Sequence, residues 1–334
     1  MKKYVMLTDT HLGRKNHNQF WAKVTEDLFD EVIDYCISND INTVIHLGDF
    51  FDSRKTLNVL TLNKGIEICK KFDNNGINFF IIKGNHDQFY KNLPKPHSLA
   101  YLDLFEHVTV VDDGVTILDN TFALVPWGYP VEELDKGHIV MGHFEINGFV
   151  TNNSGHVQEG SKLNKSDFKE FNKELSGHFH TPSVDGNIEY IGSAFAMDFN
   201  DINSNRGYYV IDNNGNKEFI EYRSAPKFVS VNTEDEIDKE VVENNIVRLT
   251  FTKDYGNVKN DKILQEVRNM NPVELHVDYK IAVEDDDIIL DDSEFNIEDN
   301  YQVFMDYIDK SKDVPEHINR KMLKKVVDKI ERGE

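Results

Sequence analysis

The sequence is short of cysteine, of basic residues and of long hydrophobic runs, and each shortage excludes a class of protein. Its two cysteines, Cys36 and Cys69, show no CxxC spacing, which argues against a disulfide framework or a structural zinc site and favours reduced thiols packed in helices. No stretch approaches the roughly 20 apolar residues of a membrane span. The N-terminus also lacks the hydrophobic region of a signal peptide. The sequence therefore predicts a cytoplasmic protein with no membrane contact.

Basic residues are scarce for a protein that would grip nucleic acid alone. The 334 residues carry 37 Lys and Arg against 59 Asp and Glu, a formal net charge of -22 at pH 7. Proteins that bind DNA by themselves usually present a basic face. Either nucleic acid is not the substrate, or bound metal and a partner supply the positive charge. The sequence also lacks a Walker-type glycine loop, so an ATP-driven step would have to come from a partner.

Hydrophobic periodicity predicts an α/β architecture. Residues 3–9, 41–49 and 77–85 are predicted strands, separated by helical patterns at 20–39 and 56–76. Short β-type runs bounded by Asp, Asn and Gly follow beyond them and predict a second sheet. Two sheets flanked by helices form a four-layer α-β-β-α sandwich.

Composition changes beyond this first domain, which is predicted to span residues 1–224. Residues 225–284 are predicted to form a small α+β capping domain, and 285–296 an acidic, solvated linker. Residues 297–334 are predicted to form two helices whose apolar stripes have no obvious internal core. A partner-docking tail and a self-packed helical hairpin both fit this pattern.

Polar clusters follow the predicted strands: DTH, GDFFD, GNHD, GH and GHFH. In open α/β sheets, ligand sites lie beyond the carboxyl ends of the strands, so these clusters are expected to converge. Carboxylate, amide and imidazole donors suit Mn²⁺ or Fe²⁺ and tolerate Zn²⁺. The candidate set is right for two cations that share one carboxylate. The candidate ligands are Asp9, His11, Asp49, Asn85, His143, His178 and His180.

Each motif alone is weaker than the set. DxH and GDxxD occur in many proteins as ordinary turns, whereas GNHD and GHFH are more specific. All five in this order favour a metal pair over buried core histidines.

The order of these motifs is similar to that of the calcineurin-like metallophosphoesterases. Within them the chain resembles the SbcD-type double-strand-break repair nucleases, and most closely the nuclease subunits of T4-type phage recombination endonucleases. The segments HLGDFFDSRK, IIKGNHDQFYKN, GHFEINGF and SGHFHT carry this resemblance. It covers about residues 1–225 and rests on domain order beyond them.

The resemblance implies roles for individual residues. His86 matches the catalytic histidine, which contacts the phosphate and helps the 3′-oxygen to leave, and Asp87 is expected to hydrogen-bond His86 and fix its tautomer. One metal is implied at Asp9, His11, Asp49 and His180, and the other at the shared Asp49 with Asn85, His143 and His178.

The resemblance also implies a function. It is a nuclease subunit of a recombination or repair complex that hydrolyses phosphodiester bonds at DNA ends with two Mn²⁺, or with Mg²⁺, Fe²⁺ or Zn²⁺. The implied partners are DNA, a second copy of the chain, and an SMC-like ABC ATPase bound through the C-terminal helices. A phage-encoded chain would act in the host cytoplasm. Two alternatives remain open: a phosphoesterase for small phosphate esters or nucleotides, and a catalytically silent scaffold.

Some residues near the motifs have no assigned role. Asp52 stands where some relatives carry a histidine, and capping of a turn or of the next helix explains it equally well. Trp127 is expected in the core rather than as a base-stacking platform. Arg54 and Lys91 fit phosphate contacts and solvated loops about equally.

Overall fold

The structure, a computed structural model, describes residues 1–151, 155–202 and 204–280. The predicted linker (285–296) and tail (297–334) lie outside the described residues. The division of the chain into a catalytic domain, a capping domain, a linker and a tail stays a prediction.

Seventeen strands and five α-helices, with four short 3₁₀ helices, follow one another in the described ranges. In chain order the strands are β1 (Lys3–Leu7), β2 (Thr43–His46), β3 (Asn78–Ile82), β4 (Val108–Val111), β5 (Thr116–Leu118), β6 (Phe122–Val125), β7 (Ile139–His143), β8 (Ile146–Asn147), β9 (Leu163–Asn164), β10 (Glu174–Gly177), β11 (Ser183–Asp185), β12 (Ile188–Tyr190), β13 (Gly207–Asp212), β14 (Lys217–Glu221), β15 (Phe228–Asn232), β16 (Ile246–Phe251) and β17 (Glu274–Tyr279). The helices are α1 (Arg14–His17), α2 (Gln19–Ser38), α3 (Val59–Asn74), α4 (Lys239–Val242) and α5 (Asn257–Asn269), and the 3₁₀ helices span Ser98–Tyr101, Val131–Glu133, Lys165–Phe168 and Phe199–Asp201. None of the helices in these ranges could span a membrane.

The first sheet has the strand order β14-β13-β1-β2-β3-β4. Strands β1 to β4 run parallel, and β13 joins β1 antiparallel. All of β2, and β1 after its first residue, are buried, which explains their continuous apolar sequence. Asn18 and Asn58 cap the N-termini of α2 and α3, since their side chains accept hydrogen bonds from backbone N–H groups of the first turn.

Aromatic side chains fill the space between these helices and the sheet. The ring of Phe29 on α2 lies 5.9 Å from that of Phe72 on α3 and 5.7 Å from that of Phe79 on β3. Cys36 and Cys69 are buried on the same two helices, and both are free. The prediction of unpaired thiols packed in helices is confirmed.

The second sheet has the order β11-β12-β10-β7-β6-β5, and its strands β6, β7, β10 and β12 run parallel. One apolar cluster contains Tyr4 and Met6 of the first sheet with Leu124, Met141 and Leu175 of the second. On its other side the second sheet packs against the 3₁₀ helices that begin at residues 131 and 165. The predicted four-layer sandwich is confirmed, with short 3₁₀ helices forming its fourth layer.

A third sheet of three parallel strands, β15-β16-β17, lies within the compact unit Met1–Ile281. It has an apolar cluster of its own, which includes Leu249, Phe251 and Val267. Phe228 of β15 instead stacks on Trp21 of α2, with ring centroids 6.1 Å apart. This α+β module therefore packs on the helical side of the first sheet.

Candidate metal centre

The seven candidate ligands lie together at the carboxyl ends of strands from both sheets. Asp9 and His11 follow β1, Asp49 follows β2, Asn85 follows β3, His143 ends β7, and His178 and His180 follow β10. Backbone hydrogen bonds join the first two turns, since the N–H of Asp9 donates to the carbonyl of Gly48 (3.1 Å) and that of His11 to the carbonyl of Asp49 (3.0 Å). The sheet topology therefore produces the predicted convergence.

Four of these residues have left-handed backbone conformations. The φ angles are 52° at Asp9, 44° at His11, 55° at Asp49 and 93° at His178. Such angles are uncommon outside glycine, and strained backbone of this kind clusters at functional sites because the surrounding structure must hold it. The conformations of these turns therefore fix the directions in which the four side chains point.

Two glycines allow the turns to approach one another. A Cβ on Gly84 would lie 2.2 Å from Asp49 Oδ1, and one on Gly48, where φ is +108°, would lie 2.4 Å from His143 Nδ1. Any side chain at either position would displace a candidate ligand. The glycines of GD and GN are therefore required by close packing.

The first ligand group consists of Asp9, His11 and His180. The Nε2 atoms of the two histidines lie 3.1 Å apart, and Asp9 Oδ1 is 3.7 Å from His11 Nε2 and 3.8 Å from His180 Nε2. Asp9 Oδ1 is buried without a hydrogen-bond partner among the described residues. Three potential donor atoms thus face one point.

The second ligand group consists of Asp49, Asn85, His143 and His178. Asn85 Oδ1 lies 3.0 Å from His143 Nε2 and 2.9 Å from His178 Nδ1, while Asp49 Oδ2 lies 3.3 Å from His143 Nε2. The same Asp49 oxygen is 3.7 Å from His11 Nε2 in the first group. Asp49 therefore lies between the two groups, as a shared carboxylate must.

Outer contacts orient the imidazoles. His143 Nδ1 donates to the backbone carbonyl of Leu47 (2.8 Å), which leaves Nε2 facing the centre. His46, a fully buried neighbour, accepts from the backbone N–H of Gly48 at Nδ1 and contacts the Thr10 hydroxyl at Nε2. Burial lowers the pKa of His46 to about 3, so it stays neutral and joins the first two turns.

Electrostatics in this cluster favour positive charge. Burial would raise the pKa of Asp49, but the charges of His143 and His11 hold it well below its usual value. Burial likewise opposes charge on His11 and His143, yet Asp52 and Asp9 raise the pKa of His11 to about 10 and Asp49 raises that of His143 to about 9. Divalent cations would supply the same positive charge directly.

His86 lies beside the first group, and the structure corrects the expected role of Asp87. The backbone N–H of His86 donates to Asp49 Oδ1 (2.7 Å), and Nδ1 lies 2.6 Å from the Asp52 carbonyl oxygen. Asp87 makes no such contact. Its carboxylate accepts from the backbone N–H groups of residues 84 (2.9 Å), 51 (3.0 Å) and 50 (3.3 Å), because it points back under the turn while His86 points outward.

Two carboxylates near the site went unassigned from the sequence. Asp52 Oδ1 lies 3.2 Å from His11 Nδ1, and Glu145 Oε1 lies 3.6 Å from His178 Nε2. In both cases the carboxylate faces the ring nitrogen that points away from the cluster, an arrangement that fixes histidine ligands in metal sites. The GDFFD spacing hinted at Asp52, whereas no sequence signal marked Glu145.

The donor set fits two divalent cations. The atoms of Asp9, His11 and His180, and those of Asp49, His143 and His178, lie within 4.8 Å of one another in each set, as do those of His11, Asp52 and His86. Hydrogen bonding alone would turn the Asn85 amide so that its nitrogen faced these acceptors. The present orientation points its oxygen at them, which suits a cation. The residues therefore form a potential dinuclear metal site.

Comparisons with known proteins agree with this geometry. The family model described as Calcineurin-like phosphoesterase matches residues 2–204. Exonuclease subunit 1 of Enterobacteria phage T4 is 34% identical over 224 residues, which cover 63% of this chain and 64% of that protein, just under two thirds of its length. The DNA double-strand break repair protein Mre11 of Sulfolobus acidocaldarius is 27% identical over 284 residues, covering 77% and 71%.

Among solved structures, Pseudomonas putida nuclease MPE aligns with a TM-score of 0.32 and 17% identity, covering 62% of this chain and 82% of that one. The family match extends through all five motifs and over more than half of the sequence. The chain therefore belongs to the calcineurin-like phosphoesterase family.

Proposed function

We propose that this chain is a metal-dependent DNA nuclease that hydrolyses phosphodiester bonds at DNA ends. The observation that carries the proposal is the position of Asp49 between two ligand groups, with His86 next to it. Two relatives support the substrate, since one is named an exonuclease subunit and the other a DNA double-strand break repair protein. The metal site alone fits any phosphoester, so the choice of DNA rests on these relatives.

In this proposal each ligand group holds one cation, and Mn²⁺ suits the mixed oxygen and imidazole donors. The bound cations would polarise the phosphodiester and activate water for in-line attack. Glu145 and Asp52 would hold the rings of His178 and His11 in the orientation that ligation requires. One cation is assigned to Asp9, His11, Asp49 and His180, and the other to Asp49, Asn85, His143 and His178.

His86 would act on the leaving group. With Nδ1 donating to the Asp52 carbonyl, its Nε2 has no partner among the described residues. A protonated imidazole held this way can donate from Nε2 to a phosphate oxygen or to the departing 3′-oxygen, which is general-acid catalysis. Asp87 would contribute by fixing the turn that carries His86.

The proposal includes partners. An ATPase subunit of the SMC-like ABC class would open DNA ends, and the predicted helices at 297–334 would bind it. The chain would act as a homodimer in the cytoplasm, that of the host if the chain is phage-encoded. Co-expression of the full chain with such an ATPase and co-purification of both would support this part.

The central test is cleavage of end-labelled duplex DNA with Mn²⁺ by wild type and His86→Gln. Loss of a general acid should slow cleavage by about 10²–10⁴-fold. The bound Mn²⁺ should stay unchanged, because His86 lies outside both ligand groups in this proposal. His107→Gln, which alters a histidine paired with Asp73, is the matched control and should cut like wild type.

Three results would count against parts of the proposal. Equal activity of wild type and His86→Gln would remove the role of His86. Hydrolysis of bis-p-nitrophenyl phosphate without DNA cleavage, even with the ATPase present, would favour a small-ester phosphoesterase. A chain that binds no divalent cation would be a scaffold.

A further inference from the structure

A cleft of about 1050 Å³ opens from the second ligand group, lined at its inner end by Asn85, His143 and His178. Its volume lies just above the usual range of about 300–1,000 Å³ for ligand-binding pockets. The outer walls come from the segments at 90–92, 127–132 and 160–171. Substrate access at the metal centre therefore differs between the two groups, since only the second lines this cleft.

Trp127 forms the wall next to the ligands. It follows β6 and Pro126, and its backbone N–H donates to the carbonyl of Lys83, after β3, at 2.8 Å. This bond holds Trp127 where the two sheets meet. Its half-buried ring lies 5.3 Å from the ring of His178 and 6.0 Å from that of His143. The expectation that Trp127 belongs to the core is wrong, because the short PWG turn leaves the ring at the surface of the cleft.

The charges that line the cleft balance, whereas the whole chain is acidic. Four basic residues (Arg54, Lys91, Lys136 and Lys162) face four acidic ones (Glu132, Glu145, Asp167 and Glu170). Lys136 is paired with Glu170. In a chain with a formal net charge of -22, a cleft of balanced charge beside a half-buried tryptophan can accept a phosphate better than the rest of the surface.

We infer that this cleft binds an unpaired DNA strand, with a base stacked on Trp127 and phosphates near Arg54 and Lys91. The inference rests on the proposed nuclease function and adds the form of the substrate. Aromatic side chains with basic neighbours are the usual means of binding single strands without sequence preference. Inside a duplex the base faces already stack on one another, so away from the terminal base pair Trp127 can stack only on an unpaired base.

The test measures binding with His86→Gln as the background, so that Mn²⁺ can be present while the DNA stays intact. The probes are a fluorescein-labelled oligothymidylate of about 12 nucleotides, within the usual span of single-strand sites, and a blunt duplex of the same length. Trp127→Ala should weaken oligothymidylate binding by about fivefold or more. Duplex binding and bound Mn²⁺ should change by less than about twofold.

Two further variants separate stacking from structure. Trp127→Phe keeps an aromatic face and should restore most of the affinity. Tyr279→Ala removes an exposed aromatic side chain of the third sheet and should have no effect. Tryptophan emission gives a direct readout, because the second tryptophan, Trp21, is 1% exposed. Oligothymidylate should quench emission in the background chain but not in Trp127→Phe.

Unchanged oligothymidylate affinity in Trp127→Ala, or an equal loss for single strand and duplex, would overturn the inference. Loss of Mn²⁺ from Trp127→Ala would overturn it too, since Trp127 would then only cover the metal ligands. If Trp127→Ala with His86 intact cuts duplex DNA normally while these results hold, the proposed nuclease function survives and only the cleft assignment fails. If the chain with Mn²⁺ binds neither DNA form, even with the ATPase present, both fail.

Discussion

The ionisable groups at the two ends of strand β10 differ in whether they have polar partners. At its carboxyl end, His178 meets Asn85 and lies within the cluster formed around Asp49. At its amino end, Glu174 is fully buried, and neither carboxylate oxygen has a hydrogen-bond partner among the described residues. Only the three residues 175–177 lie between His178, whose cluster shares partners, and Glu174, whose carboxyl group has none.

Asp87 and Glu174 make the difference explicit. Burial raises the pKa of Asp87 to about 6 and that of Glu174 well above its ordinary value. Asp87, however, accepts three backbone N–H groups, whereas Glu174 relieves the cost of burial by keeping its proton. Burial of a carboxyl group is therefore no sign of a functional site by itself. What indicates a functional site is the set of polar partners that the side chains at the carboxyl end share.

The largest effect is expected from removal of the carboxylate that the two ligand groups share. Asp49→Ala should release both cations, because Asp49 lies between the two ligand groups. Phosphodiesterase activity should fall by more than the roughly 10–100-fold that the loss of an outer contact costs a metal site. Bound Mn²⁺ is measured by elemental analysis, and hydrolysis is followed with a small phosphodiester.

His180→Ala is the matched variant, since His180 belongs to the first group alone. It should lose one cation and keep the other. Retention of one tightly bound Mn²⁺ by Asp49→Ala would show that Asp49 serves a single group.

A second, smaller effect is expected at Asp87. Asp87→Ala leaves buried backbone N–H groups of residues 84, 51 and 50 without an acceptor. Each unsatisfied group costs about 1–3 kcal/mol, so the free energy of unfolding should fall by about 3 kcal/mol or more. Urea unfolding in EDTA measures this loss without a contribution from bound metal. Asp113→Ala, on the surface, should stay within about 0.5 kcal/mol of wild type, and an equal result for Asp87→Ala would refute the stabilising role.

The sequence predicted much of the carboxyl end and nothing of the amino end. The turns that carry Asp9, Asp49 and Asn85 each follow an apolar strand, and strand order in a parallel sheet then brings them together. The contacts of Asp52 with His11 and His86 join residues 41 and 34 positions apart, and they depend on how two turns fold over each other. No periodicity or motif encodes such a pairing.

The prediction for Asp87 failed for a related reason. Adjacent residues in a tight turn point in different directions, so sequence neighbours need not be partners. Trp127 was misplaced because an apolar residue after a buried strand usually continues the core, whereas Pro126 ends the strand there. Glu174 gave no signal at all, since its strand follows a polar loop in which a glutamate is unremarkable.

The smallest effect is expected at Glu174, at the amino end of β10. The folded chain holds the Glu174 proton to higher pH than the unfolded chain does, so its stabilising contribution is complete below about pH 4.5 and is lost as pH rises through the raised folded-state pKa. Glu174→Gln cannot ionise. Its free energy of unfolding relative to wild type should therefore be near zero at about pH 4.5 and increase by about 1.4 kcal/mol per pH unit above it, until the folded-state pKa is reached. Urea unfolding in EDTA at several pH values measures this slope, with the exposed Glu236→Gln as control. Parallel curves for Glu174→Gln and wild type would mean that Glu174 is ionised in the folded chain. Its buried carboxylate would then need stabilising groups of its own, different from those of the ligand cluster at the other end of β10.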